Sequence, residues 1–313
     1  INFLTLKNDF WDNLGRRKKF IISLIILFIE IIKKKRNVLV FCFQGNIYCT
    51  LVCKILGIKI IVRSNSAPDG WSQSFIKFIF FKYIFKLADK IIVNSYDFKK
   101  NFKKRFKINT ECIYNPLNTR EIINKSKNKT NLRFPNTNLK IINIGRFTDQ
   151  KDQITLLKAI NLIKDKVDLF LYVVGKGIEK NNLEKYIKQN NLEKNVKIIN
   201  FQNNPFCLLK KSELFVLSSI YEGLPNVLLE SIVLKKYIIS SNCPTGPREI
   251  LLNGKGGSLF KPKNYKQLAS LIYNYSLKRK KYKKKINYAY KSLNRFDYKI
   301  NLDKYLRVVK ELI

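Results

Sequence analysis

The 313-residue chain contains no histidine and no methionine, and its 61 Lys and Arg face only 22 Asp and Glu. The missing imidazole excludes whole mechanisms: a Ser-His-Asp or Cys-His relay, an HExxH zinc site, an imidazole acid–base catalyst. Chemistry here has to run on carboxylates, Lys, Arg and backbone dipoles. None of the six cysteines (Cys42, Cys49, Cys53, Cys112, Cys207, Cys243) falls in a CxxC pair, and no His can complete a mixed metal site. Buried free thiols in a reducing compartment are the expectation. Long hydrophobic runs are absent too. The longest, Phe20 to Ile32, has 13 residues and is interrupted by Glu30, short of the roughly 20 that span a bilayer. It is followed by Lys33-Lys34-Lys35-Arg36 rather than a small-residue cleavage site, so it reads as a buried helix in a soluble or peripheral, cytoplasmic protein. A reading frame opens with Met and this chain begins at Ile1, so a piece of a longer protein is expected.

What is present is a 46% hydrophobic composition, enough for real cores, with a net charge of +39. The length suggests two domains. Lysine supplies 49 of the 61 basic residues. A base-reading protein leans on Arg, and no helix-turn-helix, zinc-finger or RNP signature occurs, so no specific nucleic-acid partner is expected. The charge fits attraction to an anionic surface, or simply the Lys, Ile and Asn skew of an AT-rich coding sequence.

Short apolar runs alternate with helical patterns. Strands are predicted at 38–43, 58–62, 90–94 and 111–114, with helices at 47–56, 72–87 and 96–106. This order means a parallel sheet covered on both faces. A polar stretch from Asn115-Pro116 through 138 reads as linker or loop. The alternation restarts with strands at 139–144, 169–174, 196–199, 214–217 and 237–240, and helices at 152–164, 179–190, 205–211, 225–235 and 264–276. The basic run 278–291 reads as a surface helix, and an amphipathic helix closes the chain. The expected organisation is an α/β chain of two Rossmann-like domains facing across a cleft. Residues 1–138 would form an incomplete first domain plus linker, 139–297 the second, and 298–313 a C-terminal helix packing back on the first.

Four stretches carry chemistry. In Tyr221–Ser231, YEGLPNVLLES, two carboxylates, Glu222 and Glu230, have seven residues between them, starting with a glycine turn. Pro225 suits the first turn of a helix, whose free amides would point into the strand-end crevice as an anion site. A capped helix with two exposed acids would give the same pattern. In Ile144–Lys151, IGRFTDQK, Gly145 ends a strand, and Arg146 and Lys151 offer a fork and a point charge for a diphosphate. Val173–Gly177, VVGKG, is another strand running into a glycine turn. Ser241–Glu249, SNCPTGPRE, is a rigid loop beside the same crevice.

Together and in this order, these motifs make residues 139–276 resemble the donor-binding half of a GT-B glycosyltransferase of family 4, retaining and Leloir-type. Residues 88–118, ADKIIVNSYDFKKNF…IYNPLN, resemble the end of that family's acceptor domain. The resemblance implies a transferase that moves a sugar from a nucleotide-diphosphate donor, a UDP-sugar above all, to a surface glycan or its lipid-linked precursor. An inactive binding or scaffold protein on the same fold, or a nucleotide-sugar epimerase, are the alternatives. By similarity Arg146 and Lys151 neutralise the diphosphate, with Gly145, Gly175 and Gly177 allowing close backbone approach. The amides of Leu224, Pro225's neighbours Asn226 and Val227, and the Gly223 turn add helix-dipole stabilisation. Glu230 would accept from ribose hydroxyls, Glu222 would hold the donor sugar, and Phe201 would border the base. There is no D-x-D triplet, so the resemblance implies no metal and no cofactor beyond the nucleotide-sugar substrate. Front-face transfer needs no enzyme nucleophile, because a donor phosphate oxygen can take the acceptor proton. Many members carry a His in the acceptor domain; here the comparable strand end reads Arg63-Ser64-Asn65-Ser66, with Arg63 and Asn65 as acceptor-side candidates. Finally, in residues 74–90 Lys77, Lys82, Lys86 and Lys90 recur beside Phe, Ile and Tyr, a pattern that suits an anionic membrane surface near a lipid-linked acceptor and equally an ordinary core helix with solvated lysines.

Overall fold

A computed structural model describes residues 11, 14–34, 38–65 and 74–313. Its described elements form two parallel sheets. The first contains β1 (Val40–Cys42), β2 (Ile60–Ser64), β3 (Lys90–Val93) and β4 (Glu111–Cys112), side by side in chain order. Its connections are α2 (Asn46–Ile55), α3 (Phe75–Leu87) and α4 (Tyr96–Phe106), preceded by α1 (Arg16–Lys33). Ile60, Val62, Ile91 and Val93 face one helical layer, in which Phe98, Phe102 and Phe106 recur every four residues of α4 and are fully buried. Ser66 and the start of the helix predicted at 72–87 lie outside the described residues.

The second sheet has six strands in the order β10-β9-β8-β5-β6-β7, all pairs parallel. Its strands are β5 (Leu139–Ile144), β6 (Leu169–Gly175), β7 (Val196–Asn200), β8 (Leu214–Leu217), β9 (Tyr237–Ser241) and β10 (Ser258–Phe260). The chain winds outward from β5 to β7, then returns to the other side of β5 for β8. The strand order therefore reverses between β5 and β8, and the loops leaving those two strands open a crevice there. Near-continuous apolar strands such as LFLYVVG in β6 fit a sheet covered on both faces. One face is covered by α6 (Gln153–Ile163), α7 (Lys180–Gln189) and α11 (Tyr265–Leu277). The other carries α8 (Phe206–Lys211), α9 (Asn226–Val233) and α12 (Lys283–Lys291).

Several expectations are corrected. The 115–138 stretch is not plain linker: it holds α5 (Thr119–Lys125), capped by Asn118, and buries Leu117 and Ile122 against the second sheet. The basic run 278–291 breaks into a 3₁₀ turn, Arg279–Tyr282, and α12, whose Ala289 is buried. The helix expected to be buried at 20–32 buries Ile31 but leaves Ile21, Ile25, Phe28, Ile29 and Ile32 exposed. α1 rests on α2, with Phe20 edge-on to Tyr48 and Leu27 and Ile31 on the first core, so its other faces stay open among the described residues.

The last helix, α13 (Tyr298–Lys310), crosses back to the first sheet. Val308 is buried there with Ile61, Ile92 and Ile113, and Lys59 Nζ donates to Leu312 O at 2.7 Å. The two crossovers between sheets run side by side: Leu117 bridges Asp297, and Leu117 N donates to Phe296 O at 2.9 Å.

Candidate active site

The site is built on the loops at the strand-order reversal. After β5 the chain turns at Gly145. Phe147 N donates to Lys176 O at 2.9 Å, and Glu179 N to Phe147 O at 3.1 Å. A Cβ on Gly175 would stand 1.9 Å from Gly145 O, and one on Gly177 2.1 Å from Phe147 O, so these glycines let two loops pack backbone to backbone. The β5 loop is stitched equally tightly to the loop after β8. Ile220 N donates to Gln150 O at 2.8 Å, and Ser218 Oγ to Lys151 O at 2.9 Å.

These contacts deliver Lys151 to Glu222. Nζ lies 2.5 Å from Glu222 Oε1, the side chains are 14% and 7% exposed, and Ser219 Oγ donates to the same oxygen at 2.6 Å. Lys151 also lies along Gly145, while the Arg146 side chain is exposed to solvent at the mouth of the loop. Thr245 Oγ1, from the loop after β9, donates to Glu222 O and holds that backbone.

Behind Glu222, Gly223 touches the other domain. A Cβ there would meet Asn65 O at 2.2 Å. The helix then starts one residue later than expected. Pro225 is its N-cap, in extended conformation, and α9 begins at Asn226. The first-turn amides are thus those of Asn226 and Val227. Glu230 sits one turn further in, half-buried, and burial pushes its carboxyl up to about 7.

On the side of the first domain, the ends of the first sheet and α13 line a cavity of about 670 Å³ with the α9 start. Arg63, Asn65, Asn94 and Asn115 line it at the ends of β2, β3 and β4, with Phe43, Leu224, Asn226 and Tyr305 among the other walls. Arg63 Nε donates to Tyr305 Oη at 2.6 Å, and its two terminal nitrogens donate to the Asn65 and Asn115 carbonyls. Asn115 in turn donates to Asn226. Asn94 is 2% exposed and its Oδ1 has no hydrogen-bond partner among the described residues. Among the described residues the lining contains one cation, Arg63, and no carboxylate, a set that suits a hydroxyl-rich or anionic ligand.

The structure therefore brings Arg63, Asn65, Leu224 and Asn226 into one cavity. Gly145, Lys151, Glu222, Gly175 and Gly177 gather at the ends of β5, β6 and β8, next to the Gly223 turn. Phe201 stands apart, 54% exposed after β7, with the Lys176 ammonium 4.9 Å from its ring centroid. Tyr305, Asn94 and Asn115 are site residues that the sequence reading missed; they become neighbours only through the returning helix and the parallel strand ends. Among the described residues no group of three His, Cys, Asp or Glu could hold a metal ion, and no helix is long and apolar enough to cross a membrane.

A family model described as glycosyl transferases group 1 matches residues 124–292. An uncharacterized glycosyltransferase of Methanocaldococcus jannaschii is 36% identical over 199 residues, covering 61% of this chain and 49% of that protein. The N-acetylgalactosamine-N,N'-diacetylbacillosaminyl-diphospho-undecaprenol 4-alpha-N-acetylgalactosaminyltransferase of Campylobacter jejuni is 28% identical over 274 residues, covering 83% of this chain and 73% of that protein. The chain thus spans about half the length of the first relative. Among solved structures, a glycosyltransferase from Rickettsia africae matches with TM-score 0.75 and 20% identity, over 100% of this chain and 84% of that one. Anabaena HepE in complex with UDP matches with TM-score 0.75 and 17% identity, over 91% and 82%. At such identities these two show the fold.

Proposed function

The chain belongs to the group 1 glycosyl transferases and has the GT-B fold, and on that premise we propose that it moves a sugar from a UDP-sugar to a surface glycan or its lipid-linked precursor, with retention of configuration. The observation that carries this reading is the meeting of Lys151, Glu222 and the α9 start at one turn, between the strand-order reversal and the acceptor-side cavity. A relative named for transfer onto a diphospho-undecaprenol-linked glycan, and a neighbour that holds UDP, support the substrate classes.

In this reading the diphosphate lies over Gly145. Arg146 and Lys151 take up the negative charge that grows as the glycosidic bond breaks, and the amides of Asn226 and Val227 add the helix dipole. Lys151 already sits in a low-dielectric pair with Glu222, so the ammonium is fixed before the donor arrives and costs no reorganisation. Glu222, anchored by Ser219, accepts from the donor-sugar hydroxyls. Glu230 accepts from the ribose. The acceptor enters the cavity of Arg63, Asn65 and Asn94, and its proton passes to a donor phosphate oxygen. Arg and Lys perform the charge neutralisation, so transfer proceeds without a metal. EDTA leaves the rate unchanged in this account, and a loss restored by Mg²⁺ contradicts it.

The α3 helix exposes Phe75, Ile76, Phe80 and Tyr83 beside Lys77 and Lys86, and we place it on the anionic inner face of the cytoplasmic membrane, where lipid-linked acceptors reside. The test incubates the protein with a UDP-sugar panel and membrane lipid extract and reads products by mass. Arg146→Ala and Glu230→Ala should lose transfer. Undiminished transfer overturns the site assignment. Nucleotide binding without any product favours the inactive scaffold, and sugar conversion without acceptor favours an epimerase.

A further inference from the structure

The loop after β9 ends in α10 (Pro247–Ile250), and its Glu249 carboxylate does not stay in its own domain. Oε1 accepts from Tyr96 N at 3.0 Å and from Tyr114 Oη at 2.5 Å, and Oε2 accepts from Asp97 N at 3.0 Å. Tyr96 and Asp97 open α4 of the first domain. The N-cap of that helix, Ser95, serves only the next amide, Phe98 N, at 3.1 Å. The exposed amides at the start of α4 are thus divided between a local cap and a carboxylate about 150 residues away. Tyr114 is the last residue before the Asn115–Leu117 crossover, and its ring packs on Phe296 of the other crossover with centroids 4.6 Å apart. Arg295, beside Phe296, donates to Glu249 O and Ile250 O at 3.3–3.4 Å, which fixes α10 against the same hinge.

We propose that Glu249 is the catch that sets the angle between the two domains, and thus a positioning residue that registers Arg63 and Asn65 against the Gly223–Asn226 turn. The bonds cross the interface beside both crossovers, where a small rotation moves the far cleft walls most. Tyr96 is exposed, Asp97 and Glu249 are half-buried, and only Tyr114 of the four is buried, so water can replace the bonds when the domains part. The catch is therefore reversible. Asp97 lies against it, and burial together with the Glu249 charge raises its carboxyl above the usual range. Lys100 and Arg248 offset that repulsion. A bland alternative is a static cap that only stabilises α4.

Glu249→Gln keeps the volume but turns one acceptor oxygen into a donor that cannot take an amide proton. Tyr114→Phe removes one donor and leaves both amides bonded, which keeps the test available should the first variant fold poorly. Hydrogen exchange at Tyr96 and Asp97 should quicken about tenfold or more in Glu249→Gln and much less in Tyr114→Phe. In the transfer assay, kcat for Glu249→Gln should fall about tenfold while UDP affinity stays within about threefold, because the lost bonds run to the first domain and the Gly145–Lys151 loop keeps its own contacts. Unchanged exchange at both amides overturns the catch. Faster exchange with unchanged kcat reduces it to a static cap and overturns the positioning role. The kinetic arm rests on the transferase reading and the exchange arm does not, so a wild type that transfers nothing refutes that reading while exchange still decides whether the catch exists.

Discussion

Replacing Lys151 by methionine isolates the buried charge pair at the centre of the site. The substitution keeps the stem length and deletes the ammonium that lies 2.5 Å from Glu222 Oε1. Glu222 is 7% exposed and would be left with one hydrogen bond, from Ser219 Oγ. Breaking a buried pair from one side typically costs about 3–5 kcal/mol, because an uncompensated charge stays in low dielectric. The surviving Ser219 bond places this case near the low end, about 3 kcal/mol, or a fall of about 6–12 °C in the melting of the second domain. Glu222→Gln should cost less, about 1 kcal/mol, since the stranded ammonium is 14% exposed and can swing toward water. The double variant strands no charge. It should therefore be more stable than Lys151→Met alone, with a coupling of about 1–3 kcal/mol. Urea unfolding of all four proteins gives the cycle. Additive single effects would refute the argument that the pair is buried and mutually dependent.

Three other outcomes follow from the same geometry. Burial raises the folded Glu230 carboxyl to about 7 against an ordinary 4.5, so its contribution to stability is intact below about 4.5 and is lost as pH rises through about 7. Glu230→Gln should flatten that slope in a pH series of melts, by at most about 3 kcal/mol at pH 8. UDP binding in wild type should tighten over the same window if the ionised form meets the ribose, and proton release by calorimetry in two buffers checks it. Gly223→Ala puts a methyl 2.2 Å from Asn65 O and should open the interface; a larger radius by small-angle scattering is the expected result, and an unchanged one counts against the close approach. Phe75→Ser with Tyr83→Ser should release the protein from vesicles rich in anionic lipid at constant melting temperature, whereas undiminished sedimentation removes α3 from the membrane account.

The parts of the molecule visible from sequence are those whose signal is local. β5 through β9 are apolar runs bounded by turns, and the Gly145–Lys151 and Glu222–Glu230 motifs lie at strand ends because a parallel sheet leaves no other place for such loops. α5 was hidden in an Asn- and Lys-rich stretch because Ile122 and Ile123 are its only apolar anchors. β10 is three residues long, too short for any periodicity. The exposure of α1 could not be read from composition, since an apolar helix looks the same whether its neighbours surround it or not. The site shows the same division. Arg63 and Asn65 carry a strand-end signature, but Tyr305 reaches Arg63 across 242 residues and Glu249 reaches Tyr96 across 153. Pairings at that separation depend on how two domains dock, for which one sequence holds no pattern.

The central claim is that the Gly145–Lys151 loop and the α9 start hold a nucleotide diphosphate. Calorimetric titration of UDP and of uridine into wild type and Arg146→Ala tests it most directly. The account predicts that UDP binds wild type at least about a hundredfold more tightly than uridine, and that Arg146→Ala loses about tenfold or more for UDP with uridine unaffected. Equal affinity for UDP and uridine, or an Arg146→Ala protein that binds UDP like wild type, contradicts it.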